Sequence, residues 1–446
     1  MPHSDRQLRG LGDSFATSVR SGGTTKVSFP GLDVLRGWSA VGVVVLHACA
    51  AYTDRPMPGL AWSTADGASR LVTVLMWSIE VVIMPIFLVM AGFLAARSMA
   101  RGGRWHTVRS RMRRLGVPFV LAVVLVLPLS LYAWLLGWAA DGLIDVVKLR
   151  SLKLRGDLDQ HLWGTGHLWF LQYLMTYIVL LAALERSLSL DIFALPSRRQ
   201  MTTYWWLAAT AVVAVAVLLF QPEVVWGFQH SFWPVMTKWA YSGAFFFAGV
   251  LVWKTDPHLL TAALNGPRQL AWGGLCLAAA VALGIWHLDQ GVASVSPSGQ
   301  QFGEARLFQS AGLPRWTLAI LTVAAAWTVT TGLLGSCQRW IRRPNRLTAR
   351  LAESSLWIYL LHHPLVGLTQ VSLKHTAWQM PIAVKLMSVV LIGVSVPLLI
   401  HQVWLGRGRQ FAWRSSTNAD SAGLSPDRSI VLPQADRMEE PFRRAG

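Results

Sequence analysis

Charged residues are scarce in this sequence. They make up 14% of its 446 residues, whereas 53% are hydrophobic and the mean hydropathy is +0.42. A soluble protein of this length could not cover so much apolar surface with so few charges. This composition excludes an ordinary water-soluble globular fold, and we expect the apolar side chains to face lipid.

Cysteine is also scarce, and its three residues, Cys49, Cys276 and Cys337, lie far apart. Their spacing fits neither a disulfide framework nor the clustered ligands of a zinc site, so we expect no metal. The sequence contains no Walker A motif, dinucleotide-binding motif or internal repeat. It therefore gives no support for ATP-driven pumping, and we expect no bound cofactor.

Long apolar runs dominate what is present. A helix needs about 18 or more such residues to cross a hydrocarbon core of about 30 Å, and all its backbone polar groups must be bonded within the segment. The runs lack the alternation of barrel strands, so the sequence predicts an all-α, polytopic membrane bundle of about ten helices. The predicted spans are residues 33–53, 71–96, 115–137, 167–185, 203–220, 235–253, 270–288, 313–334, 355–373 and 382–404.

Polar ends flank a single predicted membrane domain at 29–404. Residues 1–28, which show no signal-peptide cleavage pattern, and residues 405–446 are predicted to be disordered. If both termini are cytoplasmic, most of the 40 Lys and Arg residues fall in cytoplasmic segments, as the positive-inside rule expects. This topology places the loop 138–166 on the external side of the membrane. Topology and contact with anionic lipid thus account for the net charge of +18, without nucleic acid.

The first span contains an arginine and a histidine, Arg36 and His47, eleven residues apart. At about 100° and 1.5 Å per residue they lie on one helix face, about 16 Å apart along the axis. A guanidinium at the cytoplasmic end suits phosphate, and an imidazole about halfway across suits proton transfer, so an acyl-coenzyme A could contact both. Alternatively, Arg36 snorkels to the interface and His47 is a structural histidine bonded to a neighbouring helix.

This Arg and His pattern resembles the signature of the membrane-bound acyltransferase-3 family. RSRMRRLGVPF, with Arg111 and Arg114, resembles the family's arginine pair, and PIFLVMAGFLAAR resembles its Phe-rich segment. GHLWFLQYL at 166–174 and SSLWIYLLHHPLVG at 354–367 are most similar to the branch that transfers succinyl groups to periplasmic glucans.

The resemblance implies a multi-pass acyltransferase of the bacterial inner membrane that uses acyl-coenzyme A as co-substrate. It implies that His47 is the catalytic base and that Arg36, Arg111 and Arg114 bind the donor. The last two also fit a plain topology signal. Ala91, in place of the family's serine, and Ile83, where the glucan branch often has arginine, leave the acyl group and the acceptor open.

Two histidines in the ninth span are further candidates, His362 for catalysis and His363 for acceptor binding. Adjacent helical residues point about 100° apart, so only one can readily face a given cavity. Pro364 directly after them is expected to free backbone carbonyls near the site. A satisfied histidine in the bundle interior is the alternative.

His167 and Trp169 begin the fourth span at its external end. Trp is common there as an interface anchor, yet an imidazole and an indole also suit an incoming sugar acceptor. Glu80 is the most isolated carboxylate within a span, so we predict a catalytic role in which it pairs with His47 or an arginine.

Together these residues predict an O-acyltransferase that moves an acyl group, succinyl in the glucan branch, from cytoplasmic acyl-coenzyme A to a hydroxyl of an extracytoplasmic glycan. His47 would take the hydroxyl proton as the oxygen attacks the thioester. The rival is a proton-coupled transporter in which the intramembrane His and Glu form a proton relay and Arg36 selects an anion.

Overall fold

The computed structural model describes residues 29–151, 163–187, 200–229, 231–293 and 313–421. It is 83% helical, and no strand occurs in these ranges. Several of the helices are long and apolar enough to cross a membrane. The predicted all-α, polytopic membrane bundle is confirmed.

The helices are numbered here in chain order. They are α1 Pro30–Cys49, α2 Arg70–Gly102, α3 Arg104–Arg111, α4 Val117–Ala140, α5 Lys148–Ser151, α6 Trp169–Ser187, α7 Gln200–Phe220, α8 Glu223–Trp226, α9 Met236–Thr255, α10 Leu260–Ala293, α11 Leu313–Trp340, α12 Arg346–Thr376 and α13 Ile382–Ser421. A π-helical turn, Met112–Gly116, joins α3 to α4, and a 3₁₀ turn, Gly166–Leu168, precedes α6.

Each of the ten predicted spans falls on one of these helices. By length and composition, seven stretches of the described chain could cross a membrane; α7, whose apolar part is shorter, is not among them, and neither are α9 and α12. These two helices carry Lys238, His362 and His363, whose polarity lowers the hydropathy of the segments that build the site described below. The number of crossing helices and the orientation of the termini stay predictions.

The predicted disordered tail is partly helical. By its contacts the chain forms two units, Met1–Leu398 and Leu399–Gly446. Helix α13 continues to Ser421, so residues 405–421 are helical where the sequence predicts disorder; no proline interrupts this stretch. Residues 422–446 and the predicted disordered segment 1–28 lie outside the described residues.

Helices α2 and α9 approach closely through a reciprocal pair of glycines. A Cβ on Gly92 would overlap the carbonyl oxygen of Phe246, and a Cβ on Gly249 would overlap that of Val89. Only glycine permits backbones to pack at this distance. The contact brings together the two helices that carry Glu80 and Lys238.

The segment between α1 and α2, residues 50–69, is partly buried although it is not helical, and we call it the cover segment. Buried backbone needs hydrogen-bond partners, and two indoles of α4 supply them. Trp134 Nε1 donates to the Ala61 carbonyl oxygen and Trp138 Nε1 to that of Trp62, each at 2.8 Å. The cover segment is therefore an ordered part of the bundle.

Ion pairs attach the cover segment to helices that are distant in sequence. Asp66 accepts from the buried Lys385 of α13 at 2.8 Å. Arg55 pairs with Asp289 of α10 at 2.7 Å, and Asp289 also pairs with Arg70 at 2.5 Å. These attachments hold the segment over the last turn of α1, where His47 lies.

Candidate active site

Four histidines from three parts of the chain pack together. The ring centroid of His47 lies 5.0 Å from that of His362 and 5.3 Å from that of His363. His167 stacks on His363 with centroids 4.4 Å apart and lies 5.3 Å from His362. The first, fourth and ninth predicted spans thus converge on one cluster, although no three His, Cys, Asp or Glu side chains of the described ranges could hold a metal ion.

Backbone carbonyls determine which ring nitrogen of His47 carries the proton. Nδ1 lies 2.9 Å from the Val43 carbonyl oxygen. A carbonyl oxygen only accepts, so Nδ1 must donate and Nε2 keeps its lone pair. His362 is oriented in the same way by the Tyr359 and Ile358 carbonyl oxygens at 2.8 and 3.0 Å. Both rings therefore present an unprotonated Nε2, which is the form of a base.

Pro364 acts on the cluster through the carbonyl that it leaves without a helical partner. In α12, residue 364 would ordinarily donate to Leu360, four residues earlier, and proline has no N–H. His167 Nε2 lies 3.1 Å from the Leu360 carbonyl oxygen, so it donates there instead. The expectation that Pro364 frees a carbonyl near the site is confirmed, and the proline thereby determines the tautomer of His167.

A small cavity of about 50 Å³ lies beside the cluster. It brings together four predicted site residues from three spans, His47, Glu80, His167 and Trp169. Lys238, Trp62 and Tyr359, which the sequence did not single out, also line it. We call this space the histidine cavity.

Lys238 changes the interpretation of two predicted residues. Its Nζ lies 3.9 Å from the ring centroid of Trp169 and donates to the Gln229 carbonyl oxygen at 3.0 Å. One face of Trp169 thus holds an ammonium and is not available to stack on a sugar. Glu80 lines the same cavity as Lys238, which is the basic residue nearest to it in charge interaction, whereas the prediction named His47 or an arginine.

The three predicted donor-binding arginines form one basic region. Arg36 pairs with Asp33 at 3.2 Å, and its buried Nε has no hydrogen-bond partner in the described part of the chain. Arg111 interacts electrostatically with both Arg36 and Arg114, and Arg114 lies in the π-helical turn Met112–Gly116. Guanidinium groups clustered in this way form a basic region suited to phosphate.

The structure places two of the predicted residues more closely than the sequence could. His47 lies in the last turn of α1, because the helix ends at Cys49 and the chain turns into the cover segment; its depth in the membrane stays a prediction. His167 is 3% exposed and buried in the cluster, rather than open at the mouth of span four. The 3₁₀ turn, which starts at Gly166 with φ +52°, directs its ring inward.

Of the two adjacent histidines of α12, His363 lines a cavity that His362 does not line, in keeping with the prediction that only one faces a given cavity. Both rings pack on His47, because rings 100° apart on one helix can contact two sides of a third ring. Buried Nε2 of His362 has no partner within the described ranges, whereas His363 lines a second space. His362 therefore belongs to the proton-accepting group, and His363 lies between two cavities.

The family model described as "Acyltransferase domain", that of acyltransferase-3, matches residues 29–400. The chain belongs to the acyltransferase-3 family. It is a membrane acyltransferase, which favours the enzyme over the rival transporter. Neither a curated protein nor a solved structure matches the chain significantly.

This acyltransferase has a second and larger space, of about 410 Å³, which we call the aromatic cavity. It extends along α4 from Val123 to Trp134, about 16 Å at 1.5 Å per residue. Its outer part includes Trp163 and Phe232, which are 43% and 54% exposed. Its size falls within the range of about 300–1,000 Å³ that is usual for small-molecule sites.

The two cavities are neighbours in this acyltransferase. Leu60 of the cover segment and Phe228 line both. The Phe228 N–H donates to the Pro58 carbonyl oxygen at 2.7 Å, which joins the two walls. His47 in one cavity and His363 in the other are in ring contact, so groups held in the two spaces would meet at the histidine cluster.

Sequence reasoning missed Lys238, Trp62 and Gln370. Trp62 Nε1 donates to Gln370 Oε1 at 2.7 Å, and Gln370 Nε2 donates to the Ala48 carbonyl oxygen at 2.8 Å, which fixes the indole against His47. Lys238 could have been found, because a lysine within an apolar run is expected to face the interior and to be functional. Trp62 lies in a loop, and nothing in its sequence context indicates burial.

Proposed function

We propose that this membrane acyltransferase moves an acyl group from acyl-coenzyme A on the cytoplasmic side to a hydroxyl of an extracytoplasmic glycan. The observation that carries the proposal is the oriented His47. Its Nε2 is unprotonated and its ring lines a cavity, while Arg36 lies on the same helix toward the predicted cytoplasmic end. A base and a phosphate-binding group on one helix, about 16 Å apart, suit the two ends of a long donor.

The chemistry needs no covalent enzyme intermediate. The acceptor oxygen attacks the thioester carbonyl carbon while its proton passes to His47 Nε2, and a C–O bond forms. The C–S bond then breaks, and the leaving thiolate of coenzyme A takes the proton back from His47. His362 Nε2 and His167 Nδ1 are buried without partners in the described residues, so their lone pairs can stabilise the transient imidazolium.

The aromatic cavity is the proposed acceptor site. Its outer part is built from loops on the predicted external side and includes Trp163 and Phe232, whose rings suit stacking against sugar. His363 lines its wall, in agreement with the predicted acceptor role. In this assignment Trp163 and Phe232 stack on the sugar in place of Trp169, whose ring contacts Lys238.

The succinyl donor and glucan acceptor are proposed from the two branch-like segments. GHLWFLQYL supplies His167 and SSLWIYLLHHPLVG supplies His362 and His363. These three rings contact one another, so the similarity to that branch is concentrated at the histidine cluster. A bacterial inner membrane is the location that this function implies.

The test uses the purified full chain in detergent with labelled succinyl-coenzyme A or acetyl-coenzyme A and soluble gluco-oligosaccharides. We expect free coenzyme A to be released only with acceptor, and mass spectrometry to show an acylated sugar. His47→Ala should abolish transfer. His375→Ala is the matched control, because that ring is 42% exposed and its partner Asp141 keeps Lys374 at 2.7 Å. Absence of transfer by the wild-type chain with either donor would overturn the proposal.

A further inference from the structure

Lys238 is a buried cation in the histidine cavity to which the proposed chemistry has so far given no role. It is 6% exposed, and it is the only lysine or arginine among the described residues that line the cavity. A buried ammonium in a membrane segment costs free energy, so its presence beside His47 calls for a function.

The donor groups around this cavity are nearly all engaged. His47 Nδ1 donates to Val43, His167 Nε2 to Leu360 and Trp62 Nε1 to Gln370. The Tyr359 hydroxyl donates to the His167 carbonyl oxygen. These groups cannot turn toward a charge that develops on a substrate without breaking existing bonds.

Lys238 differs because its ammonium has three N–H donors. One donates to the Gln229 carbonyl oxygen at 3.0 Å, and no second hydrogen bond from Nζ is formed within the described ranges. The Gln229 carbonyl oxygen and the face of the Trp169 ring, 3.9 Å from Nζ, position the ammonium in the cavity. The cation is thus positioned and still has a donor to offer.

We propose that Lys238 is a catalytic residue that stabilises the oxyanion of the acyl-transfer step; this rests on the proposed function. When the acceptor oxygen bonds to the thioester carbon, the π electrons of the C=O bond move onto the thioester carbonyl oxygen. Lys238 Nζ donates a hydrogen bond to that oxygen while His47 holds the proton. When the electron pair returns, the C–S bond breaks and the thiolate leaves. Glu80 lines the same cavity and supplies the compensating negative charge.

Lys238→Met tests the role in turnover. Removal of one oxyanion donor typically lowers kcat by about 100- to 1,000-fold, and we expect a loss of this size with little change in KM for acyl-coenzyme A. Lys254→Met is the matched control, because it makes the same substitution in the same helix and Lys254 is not among the residues lining the histidine cavity. It should keep wild-type turnover.

A binding measurement separates catalysis from a structural role. Two non-reactive coenzyme A derivatives are compared, a thioether that mimics the ground state and a phosphonate that mimics the tetrahedral anion. Lys238→Met should weaken binding of the phosphonate about as much as it lowers kcat and leave thioether binding nearly unchanged. If the wild-type enzyme is active, two results would overturn this inference alone. One is that Lys238→Met weakens binding of the phosphonate and the thioether equally, and the other is that it leaves kcat unchanged. An inactive wild type would overturn the proposed function with it.

Discussion

Replacing Pro364 by alanine should separate stability from activity in this acyltransferase. Proline costs about 3 kcal/mol relative to alanine in a helix interior. The substitution also removes two buried methylenes worth about 0.8 kcal/mol each, so the net expectation is a gain of about 1.4 kcal/mol. A stabilised variant is unusual for a change in a buried site residue.

Activity should move in the opposite direction. The new N–H at position 364 would donate to the Leu360 carbonyl oxygen and compete with His167 Nε2, which now lies 3.1 Å from it. A hydrogen bond is worth about 1 kcal/mol, so loss of this orienting contact should lower kcat about fivefold. A looser His167 ring would also lose its stacking on His363.

The assay pairs a thermal melt followed by Trp fluorescence with acyl transfer at saturating donor. Pro397→Ala in α13 is the control, because it relieves the same helical defect away from the histidine cluster. It should raise the apparent Tm and keep kcat. Wild-type kcat in Pro364→Ala, or loss of both stability and activity, would refute the link from Pro364 through Leu360 to His167.

Three further changes test the donor, the acceptor and the cover segment. Arg36→Ala should raise KM for acyl-coenzyme A about tenfold or more before it affects kcat, as expected for a charged hydrogen bond of about 1.5–3 kcal/mol; an unchanged donor KM would contradict phosphate binding. Trp163→Ala should raise KM for the acceptor alone, whereas Trp233→Ala, 82% exposed and outside the aromatic cavity, should not. Asp66→Asn should lower the free energy of unfolding by about 3–5 kcal/mol in a chemical unfolding titration, because it leaves the buried Lys385 unpaired. Adding Lys385→Met to the same chain should recover most of this loss.

Helix positions in this protein follow from local composition. An apolar run in lipid must satisfy its own backbone, so each of the ten predicted spans falls on a helix. The arginine and histidine of α1 lie on one helix by periodicity alone. Polarity was a poorer guide at the end of the chain, where α13 continues to Ser421.

Contacts between distant segments could not be predicted in this way. The sequence indicated that His47, His167, His362 and His363 are chemically capable, but 193 residues separate His167 from Leu360, and only packing brings them together. The cover segment is another such case, since its indole and ion-pair partners come from α4, α10 and α13.

The helical class, the membrane setting and the residue types available for acyl transfer can be predicted from the sequence, because they depend on composition and on periodicity within one segment. Only the tertiary structure decided that Glu80 interacts with Lys238, that Trp169 holds an ammonium rather than a free stacking face, and that the four histidines meet between two cavities. The reason is physical: in lipid each helix satisfies its backbone alone, so its own sequence specifies its existence. Its neighbours are chosen by close packing and by the partners that buried polar groups require.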